Sequence, residues 1–216
     1  MSDIQIYYLI PTQLNRNLNK MNIDLSEILR TGDKKLQEVR NEIKIEPQFC
    51  RNEYGIDFNY LHSSIVSDIS LYASLDGKIA GLLTFMFLDK DDNRYILLNG
   101  ICSPAKYSRL GVGQELINTL IRIGKAFDVN YIKLKCKGDA LMNYYKKFGF
   151  ITTYIETIYD EDDEDESYPQ YDMQLNLSSV SGGKNNRKTF KRKSRKSKKS
   201  RRTKRNIARI KLRKYH

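Results

Sequence analysis

Gly111 and Gly113 lie two residues apart in the segment Tyr107–Leu116, after an apolar run and before a helical pattern. Glycines at this spacing leave backbone N–H groups uncovered, so an anion can approach the main chain closely. The N-terminus of a helix directly behind them adds a partial positive charge. The pattern therefore predicts a site for a phosphate or pyrophosphate, and a simple tight turn between a strand and a helix is the alternative.

A second motif follows in the segment Asp139–Phe150, where a helical run ends at Gly149. Together the two segments resemble the GNAT N-acetyltransferase superfamily. Members of that family hold acetyl-CoA with a loop of the form (Gln/Arg)-x-x-Gly-x-(Gly/Ala), and a later helix ends in Tyr-x-x-x-Gly-Phe. Here Ser108–Gly113 matches the loop and Tyr145–Phe150 matches the end of the helix. The resemblance spans roughly residues 70 to 177.

The resemblance implies that acetyl-CoA is the cofactor and that a primary amine attacks its thioester directly, without an acyl-enzyme. It also implies that a backbone N–H near Ile101 or Cys102 polarises the thioester carbonyl. The full set of residues implied at the cofactor is Ile101, Cys102, Ser108, Arg109, Leu110, Gly111, Val112, Gly113 and Gln114.

The loop departs from the family pattern at its first position, where Ser108 stands in place of glutamine or arginine. The stretch from Pro104 to Ser108 is also one residue longer than the common spacing. Arg109, which follows Ser108, is the candidate to supply the positive charge that an arginine would provide at the first position. We interpret Cys102 as a small buried apolar group, and an acyl-cysteine intermediate is the alternative.

Tyr145 matches the family tyrosine that protonates the departing CoA thiolate. A phenol has a pKa of about 10 and a thiol one of about 8.5, so this transfer is feasible in a preorganised site. Tyr144 is its neighbour, and we expect only one of the two to face the cofactor. The spacing to Gly149 selects Tyr145, with a core position on an amphipathic helix as the alternative.

The sequence assigns no general base. Residues 95–102 offer Asn99 but no carboxylate. The unranked candidates elsewhere are Glu46, Glu53, Asp57 and Asp172.

Apolar periodicity predicts a mixed arrangement of strands and helices. The predicted strands cover residues 4–10, 71–75, 79–88, 95–102, 131–136, 150–158 and 168–177, and the helices lie within residues 13–45, 113–127 and 139–148. Asp76 and Gly77 separate two of the strands, which is a strong hairpin signal because such turns need a positive φ. The order indicates an α/β (α+β) mixed sheet, which matches the GNAT-like acyl-CoA N-acyltransferase fold.

The net charge of +12 is concentrated at the C-terminal end. Residues 181–216 contain 18 Lys and Arg and no Asp or Glu, whereas residues 1–180 contain 20 basic and 26 acidic residues, a net charge of −6. We therefore predict a GNAT-like N-acetyltransferase domain over residues 1–180 and a basic, disordered tail over residues 181–216.

Seven consecutive acidic residues separate the last two predicted strands: Asp160, Glu161, Asp162, Asp163, Glu164, Asp165 and Glu166. In GNAT folds this loop lies near the acceptor groove. So many carboxylates would attract a polycation at low salt. We predict a basic acceptor, which is a polyamine, a Lys-rich peptide or an aminoglycoside. The alternatives are a solvated loop that aids solubility and a loop that holds the chain's own tail.

The tail Lys184–His216 resembles a nucleic-acid arm or a nuclear-localisation run. We predict that it binds nucleic acid or another polyanion in a salt-sensitive, sequence-independent manner. A non-catalytic GNAT-like packaging module is the rival to the enzyme. The composition also resembles proteins of large nucleocytoplasmic DNA viruses, which would place the chain in a virion or a viral factory.

The three cysteines, Cys50, Cys102 and Cys136, are widely spaced and odd in number, which favours buried thiols in a reducing compartment over a disulfide framework or a zinc site. Two histidines are too few for most His-based metal centres, so we expect no metal. The longest apolar stretches fall short of the ~20 residues that span a bilayer, and no signal peptide is apparent. We therefore expect an intracellular protein with no membrane partner.

Overall fold

The computed structural model describes residues 3–45, 49–50, 58–90, 93–159 and 167–177. The predicted hairpin is present: β3 (Ile69–Leu75) and β4 (Lys78–Lys90) pair in antiparallel fashion on either side of Asp76 and Gly77. Both turn residues have a positive φ, 51° and 74°, as a two-residue hairpin turn requires. The predicted tail and the acidic run lie outside the described residues.

The remaining strands are β1 (Gln5–Leu9), β2 (Arg30–Thr31), β5 (Asn93–Cys102), β6 (Tyr131–Lys137), β7 (Ile151–Tyr159) and β8 (Ser167–Asn176). The helices are α1 (Asn15–Lys20), α2 (Leu36–Ile45), α3 (Phe58–Ser67), α4 (Val112–Ala126) and α5 (Gly138–Lys146). Thr12–Leu14, Leu25–Glu27 and Ala105–Tyr107 form short 3-10 helices. The predicted elements are confirmed within a few residues. The exceptions are β2, which falls where only a break between helices was expected, and α3, which lies in a stretch where no element was placed.

One mixed sheet contains the eight described strands in the order β2-β1-β3-β4-β5-β6-β8-β7. Strand β5 runs parallel to β6 and β1 runs parallel to β2, whereas all other neighbours are antiparallel. Because parallel strands need a crossover, α4 connects β5 to β6. This connection brings the N-terminus of α4 to the carboxyl end of β5.

The two faces of the sheet carry separate apolar clusters. On one face, α4 buries Leu116, Ile117, Leu120 and Ile123 completely against the sheet. On the other face, α2 and α3 bury residues such as Val39 and Leu61 against β3 and β4. No helix in the described ranges is both long enough and apolar enough to cross a membrane.

Gly81 fixes how closely α4 approaches the sheet. A Cβ atom on Gly81 would lie 2.5 Å from Cγ1 of Val112, the first residue of α4. Any larger residue would push the start of this helix off β4. The glycine loop in front of α4 therefore keeps its position because residue 81 of β4 is a glycine and has no side chain.

Cys50 and Cys102 form a disulfide, with their Cα atoms 5.3 Å apart. The prediction of three unpaired thiols was therefore wrong for two of them, and it is confirmed for the buried Cys136. Spacing gave no indication of the pair because the two cysteines are 52 positions apart, with α3, β3, β4 and the rest of β5 between them. The prediction of a reducing compartment was based on unpaired thiols, and the disulfide removes that basis.

Reduction of this disulfide should lower the free energy of unfolding by roughly 2–4 kcal/mol, because the bond restrains the unfolded chain. Urea unfolding with and without a thiol reductant measures the difference. The double variant Cys50→Ala/Cys102→Ala is the control, since its stability should not respond to the reductant. Equal transition midpoints for the parent protein in both conditions would contradict the prediction.

Candidate active site

Strands β5 and β6 separate towards their carboxyl ends. Their parallel pairing runs from Tyr95 and Tyr131 to Leu98 and Leu134. Beyond that point β5 continues to Cys102 and β6 to Lys137 without further pairing between them. The opening leaves backbone groups at the end of β5 without a β6 partner, so they can bind another molecule.

A β-bulge lies at the start of this opening. Thr84 of β4 pairs with Gly100 and Phe85 pairs with Leu98, so Asn99 is an extra residue on β5. A bulge bends its strand and re-aims the backbone groups next to it. In the sequence, Asn99 was identified only as a polar residue in a stretch, 95–102, that contains no carboxylate. The bulge depends on the register with β4, which the local sequence does not encode.

A cavity of about 520 Å³ lies at this opening. Its walls come from the end of β5, the connection to α4, the first turn of α4 and one face of α5. The lining residues are Cys50, Ile101, Cys102, Ser103, Ala105, Ser108, Gly113, Ala140, Leu141, Asn143, Tyr144, Tyr145 and Lys147.

The glycine loop has the backbone geometry that an anion site needs. Gly111 caps α4 with a left-handed φ of 83°, and Arg109 also has a positive φ, of 66°. Gly113 faces the cavity, where a Cβ atom would lie 2.9 Å from the hydroxyl oxygen of Tyr144. The first turn of a 15-residue helix therefore lies at the cavity, with no side chain on Gly113 itself and the hydroxyl of Tyr144 next to it.

The structure brings together four of the nine residues implied at the cofactor, namely Ile101, Cys102, Ser108 and Gly113. The side chain of Val112 packs into the core instead, and that of Leu110 is 53% exposed. The other three, Arg109, Gly111 and Gln114, do not line the cavity. A role for these five would come through the backbone or through the far end of the ligand, and it remains a prediction.

Both tyrosines of α5 line the cavity, and the expectation that only one of them faces the cofactor stays a prediction. Tyr145 is buried inside the wall, whereas Tyr144 is half-buried and lies over Gly113. Adjacent positions on a helix point about 100° apart, so a wide cavity wall can include both side chains.

Burial favours the protonated form of both phenols. Desolvation raises the pKa of Tyr144 to about 12. It raises the pKa of Tyr145 further above its ordinary value, with smaller contributions from Cys136 and Tyr144. A protonated phenol can donate a hydrogen bond to a developing thiolate throughout the neutral pH range.

Lys147 and Asn143 are polar lining residues that the sequence analysis missed. They lie four residues apart on the chain, and Lys147, which directly follows α5, still has helical dihedral angles, so the two residues lie on the same side of the helix. Lys147 supplies a cation to the cavity that the start of α4 also lines, which suits the two charges of a pyrophosphate. The i, i+4 spacing was a usable signal once Tyr145 had been placed in the site.

Three of the four candidate bases, Glu46, Glu53 and Asp57, lie outside the described residues. The fourth, Asp172, lies on β8 with a carboxylate oxygen 3.5 Å from Nζ of Lys135, and it does not line the cavity. Among the described residues, no group of His, Cys, Asp and Glu could hold a metal ion.

A model of the Acetyltransferase (GNAT) family matches residues 36–150. The chain belongs to this family. Membership confirms the prediction of an acetyl-CoA-dependent acyltransferase, and the residues around the cavity fit that cofactor: the start of a helix, a lysine and an apolar wall. The described sheet confirms the GNAT fold.

Solved structures of other proteins are similar to this chain. The protein smu.2055 from Streptococcus mutans UA159 is 16% identical with a TM-score of 0.55, over 67% of this chain and 96% of its own. IAA acetyltransferase from Bacillus cereus ATCC 14579 is 10% identical with a TM-score of 0.50, over 81% and 100%. A GNAT family acetyltransferase from Elizabethkingia anophelis with acetyl-CoA bound is 16% identical with a TM-score of 0.45, over 56% and 84%.

Gly113→Glu should weaken acetyl-CoA binding by roughly 100-fold, or about 2.7 kcal/mol, because it places bulk and negative charge where the pyrophosphate would lie. Isothermal titration calorimetry measures the change. Asn118→Glu adds the same charge about one turn further along α4, outside the cavity lining, and should bind acetyl-CoA as the parent does. Unchanged acetyl-CoA binding by Gly113→Glu would show that the cofactor does not bind at this loop.

Tyr145→Phe should lower kcat by roughly 10- to 100-fold, because the thiolate loses its hydrogen-bond donor. The dissociation constant for acetyl-CoA should change by less than about twofold, since the ring and its packing remain. Steady-state kinetics and calorimetry together separate the two effects. Tyr144→Phe is the comparison. If its kcat falls further than that of Tyr145→Phe, Tyr144 and not Tyr145 is the proton donor.

Proposed function

We propose that this acyltransferase moves acetyl from acetyl-CoA to a primary amine of a basic acceptor, namely a polyamine, a Lys-rich peptide or a similar polycation. The observation that carries the proposal is the cavity at the open end of β5 and β6. It joins the glycine-loop residue Gly113, the end of β5 and Tyr145 in one site.

The lining residues suggest a division of labour. The first turn of α4 and Lys147 would hold the pyrophosphate, and the apolar wall with Ala140 and Leu141 would hold the pantetheine arm. Acetyl-CoA supplies the activated acyl group as a thioester. Backbone N–H groups near the bulge would bind the carbonyl oxygen as negative charge develops on it.

The amine must attack as a free base, and the proton that it carries after attack must leave to solvent or to a base not yet assigned. The Tyr145 hydroxyl would donate to the sulfur as the carbon–sulfur bond breaks. The products are then the acetylated amine and CoA. This direct route uses no cysteine nucleophile, in agreement with Cys102 being tied to Cys50.

The support for a basic acceptor is electrostatic. The acidic run Asp160–Glu166 connects Tyr159 at the end of β7 to Ser167 at the start of β8. Residues 1–180 carry a net charge of −6, to which this run contributes seven negative charges. Such a concentration of carboxylates raises the local concentration of polycations and has less effect at high salt.

The support for a second partner is the charge of Lys184–His216, which contains 18 basic residues and no acidic one. We propose that this tail binds nucleic acid or another polyanion through phosphate contacts, with a steep salt dependence. Acetylation and polyanion binding would then be separate properties of two parts of the chain.

The test is a panel of amines assayed with acetyl-CoA at low and high salt, led by spermidine and a Lys-rich peptide, with a neutral primary amine as reference. Replacing Asp160–Glu166 by the matching amides should raise KM for spermidine at least tenfold at low salt. The KM of the neutral amine and the binding of acetyl-CoA should stay the same.

An unchanged KM for spermidine would overturn the role of the acidic run. Absence of acetyl-CoA binding at millimolar concentration would overturn the proposed reaction itself. In that case the full chain and a chain ending at Ser181 are compared for binding to an oligonucleotide. The polyanion site is assigned to the tail only if the shorter chain no longer binds the oligonucleotide.

A further inference from the structure

Asp68 is a buried carboxylate at the junction between α3 and β3, where its residue is only 3% exposed. Its backbone N–H donates to the carbonyl oxygen of Ser64, 2.8 Å away. One carboxylate oxygen, Oδ1, accepts a hydrogen bond of 2.8 Å from the hydroxyl of Ser67. The other, Oδ2, accepts a hydrogen bond of 2.7 Å from Nδ2 of Asn99.

Asn99 is the extra residue of the bulge in β5, at the point where β5 leaves β6. Its neighbours Leu98 and Gly100 are held by pairing with β4, whereas the extra residue is not. A bulge has more conformational freedom than a paired strand, and an anchor on its side chain reduces that freedom. The carboxylate of Asp68 is such an anchor, 31 residues away in the sequence.

Polar residues gather beneath α3 next to this bulge. Of the five buried polar or charged residues in the described part of the chain, four are Ser64, Asp68, Ser70 and Thr84. Ser70 pairs with Thr84 across β3 and β4, and Thr84 pairs with Gly100 on β5. The polar strip therefore ends at the bulge.

Burying a carboxylate costs several kcal/mol unless hydrogen bonds compensate it, and an apolar residue fills such a place more favourably. A sheet that needed only packing beneath α3 would gain stability from a leucine or valine at position 68. The charged hydrogen bond to Asn99 is instead strong and directional. We infer that Asp68 is a positioning residue, which holds Asn99 so that the bulge aims its backbone N–H groups at the thioester carbonyl.

This inference rests on the proposed function, because it concerns the carbonyl of bound acetyl-CoA. Donors that are fixed in advance stabilise the negative charge that develops on the oxygen, and loss of one such donor costs roughly 10²–10³ in kcat. Loosening the anchor misdirects the donor without removing it, so the expected loss is smaller. Binding of the distant pyrophosphate is expected to be unaffected.

The experiment uses the full chain and acetyl-CoA labelled with ¹³C at the thioester carbonyl. Isotope-edited infrared spectroscopy reports how strongly the bound carbonyl is polarised, and it needs no acceptor. We expect the carbonyl stretch of the parent complex to lie below that of free acetyl-CoA. In Asn99→Ala and in Asp68→Ala it should move back towards the free value, with the dissociation constant changed less than about twofold and kcat lowered roughly 10- to 100-fold.

The exchange variant Asp68→Asn/Asn99→Asp restores the hydrogen bond with its donor and acceptor reversed. It should recover most of the carbonyl shift, which a merely structural role for either side chain would not produce. Ser67→Ala is the matched control, because it removes the other hydrogen bond to the same carboxylate and should leave the carbonyl stretch in place. If the single variants do not fold, the exchange variant alone decides.

A parental carbonyl stretch in folded Asn99→Ala and Asp68→Ala, with acetyl-CoA bound, would overturn the positioning role and leave the proposed function intact. An exchange variant that binds acetyl-CoA with an unshifted carbonyl would overturn it as well. Failure of the parent protein to bind acetyl-CoA would overturn both proposals together.

Discussion

The divergence of β5 from β6 after Leu98 and Leu134 is the constraint on which the site depends. A sheet buries its backbone polar groups by pairing them, and an open seam in its middle is unfavourable unless something else satisfies them. Strand β5 remains attached to β4 through the same region, so the opening is one-sided. The seam is therefore both a gap in the sheet and the place where a ligand with a carbonyl group can complete the backbone hydrogen bonding.

The elements on both sides hold this seam open. On one side, α4 begins close to β4 because Gly81 lets Val112 pack against that strand, and its first turn lines the cavity with Gly113. On the other side, α5 places Tyr144 and Tyr145 against the cavity, and the aromatic contacts between Tyr145 and Phe150 and between Tyr144 and Phe148 fix their rings. Rigid walls of this kind lower the cost of ordering a flexible ligand.

The end of β5 is also held covalently. Cys102 is the last residue of β5 and forms a disulfide with Cys50. Cys50 follows α2, on the opposite face of the sheet from α4. The Asp68–Asn99 hydrogen bond holds the same strand three residues earlier. Two long-range attachments thus act on a four-residue stretch, where ordinary strand pairing is available on one side only.

The sequence by itself determined most of the elements and their order, with β2 and α3 as the exceptions. The Asp76–Gly77 turn and the apolar face of α4 are local patterns, since a turn type and a helical period depend on residues a few positions apart. The motifs from Ser108 to Gly113 and from Tyr145 to Phe150 are local in the same sense, and they indicated the family that the comparison with known proteins confirmed. Charge counts likewise separated the basic tail from the acidic body.

Only the tertiary structure decided which distant residues meet. The pairing of Cys50 with Cys102 and of Asp68 with Asn99 depends on the path of the chain across the sheet, at separations of 52 and 31 residues. The bulge at Asn99 depends on the register between two strands, because one extra residue on β5 is visible only against β4. The shared exposure of Tyr144 and Tyr145 to the cavity depends on its shape. Each of these is a relation between two parts of the chain, and a local pattern carries information about only one of them.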